Sequence, residues 1–380
     1  MHLTNGERER RFEALRGLIR KENLQAFIAI GDVTVGTGFY GDFRYFTNKR
    51  VIFGRQLLLF FPEDCPIALA GSNISSQGNQ SSSFIKDWRV SSDFIGDAIA
   101  ILQSKGLTEC RVGVNMEMIS AASYIRMKEM LPKVQWVEMQ PQVLDIRHNR
   151  GEEEVAIQKE CARMCDAGFD AAVKMIKPGV TEYEIAAEIE YQARKRGAEE
   201  HFTLIASGKF SLNEAKNSFF LPYAPMAASR RIEKGDSVLM EITPRYEGYW
   251  TQLVRTVTVG ESNEDLVKIH KVCVGAIQEA LPFLKPGSTI AKAVAAMEVY
   301  TKDNGFVLNP PLGHVCGIDL VDERVSKTNT KVLTPGVTVI VHPTIYTSDK
   351  KVSFFCGETY LITEKGCEKM MTTTDKNLTV

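Results

Sequence analysis

Two polar residues close two matching apolar strands in this chain. Gly235-Asp-Ser-Val-Leu-Met-Glu241 is echoed by Gly336-Val-Thr-Val-Ile-Val-His342, with the polar residue six positions after the glycine in each copy. A carboxylate or imidazole that ends a buried apolar run must be paired, protonated or bound to a cation, because water no longer solvates it. If a pseudo-two-fold axis relates the copies, Glu241 and His342 occupy equivalent places and face one another across one pocket. A second histidine, His314, follows a glycine in Pro310-Pro-Leu-Gly-His314, and Cys316 stands two residues further on.

The elements that must position these residues repeat as well. Met175 to Gly197 and Phe283 to Gly305 each read Lys-Pro-Gly, a Thr or Ser suited to an N-cap, apolar residues at helical spacing and a closing glycine, 108 residues apart. Thr181 and Glu184 add the S/T-x-x-E capping box. This internal duplication, with helices alternating with runs of short strands, predicts an α+β domain over 149–380 built on an antiparallel, bent sheet. Residues 1–148 alternate differently, with helix over 11–22, strands over 26–30, 56–61 and 66–70, helix over 94–104, strand over 111–114 and helix over 120–131. They predict a smaller α/β domain, and the polar stretch Arg147 to Glu154 marks the boundary.

The 380 residues are 44% hydrophobic and 24% charged with a net charge of -1, which suits two globular domains and gives no basic excess for nucleic acid or an acidic membrane surface. The longest apolar run, 57–61, is too short to cross a bilayer, and the first twenty residues are too charged for a secretory leader. The expected compartment is the cytoplasm. The eight cysteines lack C-x-x-C spacing, so free, mostly buried thiols are expected.

Val180-Thr-Glu, the Gly235 strand, Gly248-Tyr-Trp-Thr-Gln-Leu-Val-Arg-Thr256, Gly313-His314 and Gly336 to Pro343, in that order, resemble the pita-bread family of creatinase, Xaa-Pro aminopeptidase, prolidase and methionine aminopeptidase. The resemblance covers nearly the whole chain. It implies a pita-bread C-terminal domain with an internal pseudo-two-fold repeat, preceded by the smaller α/β domain. The family's metallopeptidases bind two divalent ions through Asp, Asp, His, Glu and Glu, and those places read Glu241, Gln252, His314, His342 and Gly357 here. Two such ions bring a charge of about +4, against about -1 from Glu241 alone. The expectation is therefore no dinuclear metal pair and no peptidase activity. Glu358 adjoins Gly357, and a one-residue bulge there would return a carboxylate to the pocket.

Creatinase is the metal-free branch of that family. Phe53-Gly-Arg55 resembles the creatinase segment that reaches into the partner subunit's active site to hold the substrate carboxylate. Arg324 lies near the place of a second carboxylate-binding arginine, and Gly248-Tyr-Trp-Thr looks like the corresponding creatinase strand. Planar guanidinium groups suit bidentate capture of a carboxylate. The resemblance thus implies a homodimer, with Phe53, Arg55, Arg324 and Tyr249 as substrate-binding residues. The creatinase catalytic groups are replaced, its upstream histidine falling near Ala215 and Lys216, one glutamate at Val254 and another at His342.

Three uses of the pocket follow, with His314, His342, Glu241 and Gln252 as candidate catalytic residues. The two histidines can form an acid/base pair oriented by Glu241 while the arginines hold a small carboxylate substrate. Alternatively, Glu241, His314 and His342 can hold a single Fe or Zn ion, with Gln252 as a fourth ligand. In a third reading the pocket binds without catalysis. The first sets the expectation: a non-peptidase enzyme that cleaves a C–N bond, by hydrolysis or as a lyase, in a small carboxylate-bearing, nitrogen-containing molecule.

Overall fold

The computed structural model describes residues 3–32, 41–72, 83–213, 226–376 and 378–380. They pack as two compact units, Met1–His148 and Asn149–Val380. Ala215 and Lys216 lie outside the described residues.

In the first unit α1 (Asn5–Lys21) is followed by β1 (Ala26–Asp32), α2 (Asp42–Thr47), β2 (Arg55–Phe60), β3 (Ile67–Ala70), β4 (Asp87–Val90) and α3 (Phe94–Ser104). Then come β5 (Arg111–Val114), α4 (Ala121–Met130), β6 (Gln135–Glu138) and α5 (Gln140–His148). The strands form one mixed sheet in the order β4-β3-β2-β1-β5-β6. Its core joins Ile28, Ile30, Leu57 and Leu59 to Ile99 and Leu102 of α3 and Met127 of α4. The short helix α2, the strands β4 and β6 and the helix α5 carry too little periodicity to be read from sequence. A buried ion pair, Arg147 with Asp42 at 2.8 Å, ties α5 to α2.

The second unit opens with α6 (Glu152–Met175), α7 (Glu182–Arg194), β7 (Glu200–Gly208), β8 (Ser237–Tyr246), β9 (Tyr249–Trp250) and β10 (Leu253–Thr258). The second half runs α8 (Glu264–Ala280), α9 (Ile290–Asp303), β11 (Val307–Asn309), β12 (Gly313–Cys316), β13 (Glu323–Arg324) and β14 (Thr338–Val341). It finishes with β15 (Thr344–Tyr346), β16 (Ser353–Phe355), β17 (Gly357–Thr363), β18 (Gly366–Lys369) and β19 (Leu378–Thr379). A ten-stranded curled sheet runs β13-β12-β14-β17-β10-β8-β7, with β18, β19 and β9 attached to its side.

The duplication is visible in three dimensions. Thr181 caps α7 and forms the capping box with Glu184, while Thr289 takes the N-cap place of α9. Gly235 and Gly336 both adopt the left-handed backbone region, with φ of 80° and 90°, which favours glycine at the turn entering β8 and β14. One core packs β8 and β10 against α6 and α7 through Met240, Ile242, Leu253, Phe169 and Ile189. The other packs β14 and β17 against α8 and α9 through Val339, Val341, Tyr360, Cys273 and Met297. No helix among the described residues is long and apolar enough to cross a membrane.

Candidate functional site

The four central strands of the curled sheet bring the expected residues together by register. Glu241 on β8 pairs with Val254 on β10, and Val254 pairs with Gly357 on β17. The next strand along places His342, just past the end of β14, against Gly357, and the His342 N–H donates to Leu312 O at 3.1 Å. Opposed residues in an antiparallel ladder share a face, so Glu241 and His342 close a single row with Val254 and Gly357 between them. That is the placement the repeat implies.

A second row lies two residues along on the same face. His314 pairs with Ile340, Ile340 with Thr359, and the Gln252 N–H donates to Thr359 Oγ1 at 3.0 Å. The curl of the sheet lets Gln252 Oε1 meet His314 Nε2 at 3.2 Å, and the His314 and His342 rings stand edge-on with centroids 5.6 Å apart. Glu241, Gln252, His314 and His342 are all buried. Glu241 Oε2, His314 Nδ1 and His342 Nδ1 have no hydrogen-bond partner among the described residues. Burial pushes the Glu241 carboxyl up to about 7. Burial, with a smaller contribution from His342, holds His314 down to about 3, and burial alone lowers His342 to about 4. Both imidazoles are therefore neutral at pH 7.

Two glycines set how tightly this centre is built. A Cβ on Gly357 would meet Val341 O at 1.9 Å and His342 Cα at 2.6 Å, and one on Gly313 would meet Ile340 O at 2.0 Å. Strands β12 and β17 press against β14 from both sides, and His342 sits where they converge. Glu358 does not return a carboxylate to the pocket. The pairing Leu253 with Glu358 and Val254 with Gly357 is continuous, so no bulge intervenes and the Glu358 side chain takes the opposite face from Gly357. There it forms a buried ion pair with Arg255 and accepts from the Tyr360 hydroxyl at 2.7 Å. Arg255 thus serves Glu358, and Glu241 has no ion-pair partner among the described residues.

Among the expected substrate contacts, Arg324 is exposed on β13 directly opposite His314. Tyr249 is instead buried, its hydroxyl donating to Glu154 of α6, because β9 turns its ring into the interior. In the first unit Phe53 is 80% exposed, and Arg55 Nε donates to Asp32 at 2.9 Å. Thr359, which holds the Gln252 backbone, had no sequence signal beyond its place in an apolar strand.

Comparison with known proteins decides the family. A model described as metallopeptidase family M24 matches residues 156–364, more than half of the chain, and one described as the creatinase/prolidase N-terminal domain matches residues 11–148. The chain belongs to metallopeptidase family M24. Over 241 residues it is 31% identical to an Xaa-Pro dipeptidase of Pyrococcus horikoshii and equally to that of Pyrococcus furiosus, covering 62% of this chain and 66% of each relative. The aligned stretch thus spans just under two thirds of those relatives. The X-Pro aminopeptidase structure from Thermotoga maritima superposes with a TM-score of 0.84 at 23% identity, over 97% of this chain and 99% of that one.

These findings correct two expectations for this M24 chain. The non-peptidase reading, with C–N hydrolysis or lyase cleavage, is overturned by relatives that are named Xaa-Pro dipeptidases. The alternatives beside it, a single Fe or Zn ion and a pocket that only binds, are set aside with it. The expectation of no dinuclear metal pair falls too, because the family is one of metallopeptidases and the resemblance gives its peptidases two divalent ions. Position-by-position ligand counting weighed five side chains, whereas relatedness is carried by the whole chain.

The fit of the described side chains to a metal pair is a separate matter. The unpartnered atoms of Glu241, His314 and His342 are of ligand type. Yet no three His, Cys, Asp or Glu residues among the described ones are grouped to hold an ion, Gly357 offers no side chain, and Glu358 faces Arg255. These donors do not fit two divalent ions on charge. The roles assigned to the chain's own groups do not depend on one.

Buried neutral histidines outside the site make stability depend on pH. Burial, then the Arg194 charge, lowers His201 to about 4, and burial, then Arg255, lowers His270 to about 4. Both values lie below the ordinary 6.5, so between pH 6.5 and 4 the unfolded chain binds protons that the native state refuses. Stability is full above pH 6.5 and is lost on acidification, by about 2 kcal/mol for each group between pH 7 and 5. Glu241, raised above its ordinary value, acts in the opposite sense between 4.5 and 7. The urea midpoint is expected to fall from pH 7 to pH 5 and to fall less in His270→Gln; parallel profiles for the two proteins would refute the assignment.

Proposed function

We propose that this M24 chain is a peptidase that hydrolyses the peptide bond of short Xaa-Pro substrates at the Glu241, His314 and His342 centre. The observation that carries this reading is the 31% identity with Xaa-Pro dipeptidase over 241 residues. The site's chemistry supports it. Two neutral imidazoles 5.6 Å apart can accept and return a proton at a scissile amide, and Gln252 holds one of them. A dipeptide is also a small carboxylate-bearing, nitrogen-containing molecule, and the exposed Arg324 beside His314 suits its C-terminal carboxylate.

The active unit in this proposal is a homodimer in which Phe53 and Arg55 of one subunit complete the other's site. The exposure of Phe53 supports that role. The compartment proposed is the cytoplasm, in keeping with eight cysteines that are all free.

Protein supplied with Mn(II), Co(II) or Zn(II) is expected to release proline from Xaa-Pro dipeptides. His314→Ala and His342→Ala should each lower the rate by about 100-fold or more while the protein stays folded. No proline release with any ion would overturn the reading. Mixing Arg55→Ala with His314→Ala subunits should restore part of the activity through hybrid dimers, and no recovery after verified subunit exchange would refute the contribution in trans.

A further inference from the structure

We propose that Phe202, Thr243 and Trp250 form the subsite that selects the Xaa side chain, and that it favours a flat apolar side chain ending in a neutral oxygen, with tyrosine the best fit. Strand β7 pairs with β8 without a break from Glu200–Arg245 to Gly208–Ser237, so side chains alternate regularly along both. Thr243 lies two residues beyond Glu241 and shares its face, and Phe202 pairs directly with Thr243. Arg245, two residues further on, pairs with Trp250 of β9, which brings the indole to the same face. The contacts agree: the Phe202 and Trp250 ring centroids are 6.2 Å apart, and the Arg245 guanidinium lies over the indole at 5.2 Å. The main-chain N–H of Trp250 donates to Gly317 O at 2.9 Å, three residues past His314, so the ring is anchored near that histidine.

Two polar atoms in this wall have no hydrogen-bond partner among the described residues, Trp250 Nε1 and Thr243 Oγ1. Trp250 is 2% exposed and Thr243 is fully buried, so bulk water does not serve them. An unpaired buried donor is costly, and a ligand that supplies its acceptor recovers that cost on binding. An indole N–H can only donate, whereas a hydroxyl donates or accepts. A phenol satisfies both, accepting from Trp250 Nε1–H and donating to Thr243 Oγ1. Its ring can pack on the half-buried Phe202 and Leu204, the latter paired with Glu241. Arg245 already donates to Glu200 at 3.1 Å and to Gly248 O at 3.0 Å, which disfavours a carboxylate side chain here. The direction of the substrate follows from the sheet. The strands β13, which carries Arg324, and β7 are the two ends of its main path. A dipeptide whose carboxylate sits at Arg324 therefore extends its N-terminal residue toward β8 and β7.

The assignment rests on the peptidase reading, and one arm of its test needs no turnover. In the rate arm, kcat/KM for Tyr-Pro is expected to exceed that for Phe-Pro by about 10-fold or more. Trp250→Phe should bring this ratio to within about 3-fold of unity, and the nearly isosteric Thr243→Val should lower it in the same direction. Equal rates on the two dipeptides, or a native ratio in either folded variant, would overturn the subsite. In the binding arm, protein labelled with 15N at tryptophan gives indole N–H signals from Trp88, Trp136 and Trp250, and Trp250→Phe identifies the last. Tyr-Pro should move the Trp250 signal downfield, as a new hydrogen bond does, and Phe-Pro should move it less. A Trp250 signal that Tyr-Pro leaves in place overturns the subsite. The expected shift without proline release from any dipeptide overturns the peptidase reading and leaves the subsite standing.

Discussion

Gly357→Ala is expected to destabilise the C-terminal unit by about 3 kcal/mol or more, read as a fall in the urea midpoint. The added Cβ has nowhere to go. It would stand 1.9 Å from Val341 O and 2.6 Å from His342 Cα, both main-chain atoms, so relief requires β17 and β14 to separate. No rotamer change can supply that relief, because a Cβ position is fixed by its own backbone. The same geometry governs Gly357→Glu, which restores the carboxylate type that the family's metal site uses at this place. That variant is expected to fail to fold rather than to gain metal affinity. A Gly357→Ala protein within about 0.5 kcal/mol of the native one would show that the two strands part easily and that the close approach is not a constraint.

Glu358→Ala is expected to cost about 3–5 kcal/mol, because it strands a buried guanidinium. Arg255 has only 4% of its side chain exposed. It also donates to Thr374 O at 2.8 Å and to Asp375 at 3.1 Å, so it anchors the C-terminal segment as well as β17. Removing Glu358 leaves the exposed-side partner Asp375, at 37% exposure, as the remaining counter-charge, and water screens that pair. The activity readout separates this structural role from a ligand role. Glu358 lies on the face of β17 away from Gly357, so turnover per folded molecule is expected to match the native protein. A loss of turnover with little loss of stability would instead place the Glu358 carboxylate in the pocket.

Much of the architecture was legible without coordinates. Apolar residues at a period near 3.6 identified the helices α1, α3, α4, α7 and α9, whereas α8 was not read, and the glycine–strand–polar pattern identified β8 and β14 as equivalent. Equivalence alone gave Glu241 and His342 matching places after their glycines, although β8 runs on to Tyr246 and leaves Glu241 in mid-strand, while His342 follows the end of β14. Those are local signals, repeated along the chain, and local backbone preferences set them. The small elements α2, β4 and β6 escaped because four to six residues give a period too little length to show.

Tertiary structure alone decided which polar groups meet. Gln252 reaches His314 because the sheet curls, and curvature accumulates over four strands from small twists that no single segment encodes. Glu358 faces away from the pocket because of register: a strand's period of two sends neighbouring side chains to opposite faces, and only the pairing of β10 with β17 shows which face holds the pocket. Gly357 was read as a missing ligand, whereas the structure shows a contact between two main chains that admits no side chain. Sequence determined the repeat and the residue types at its centre. Distances between strands far apart in the chain determined which of those residues touch, because contacts of that kind depend on the whole sheet and not on any one segment.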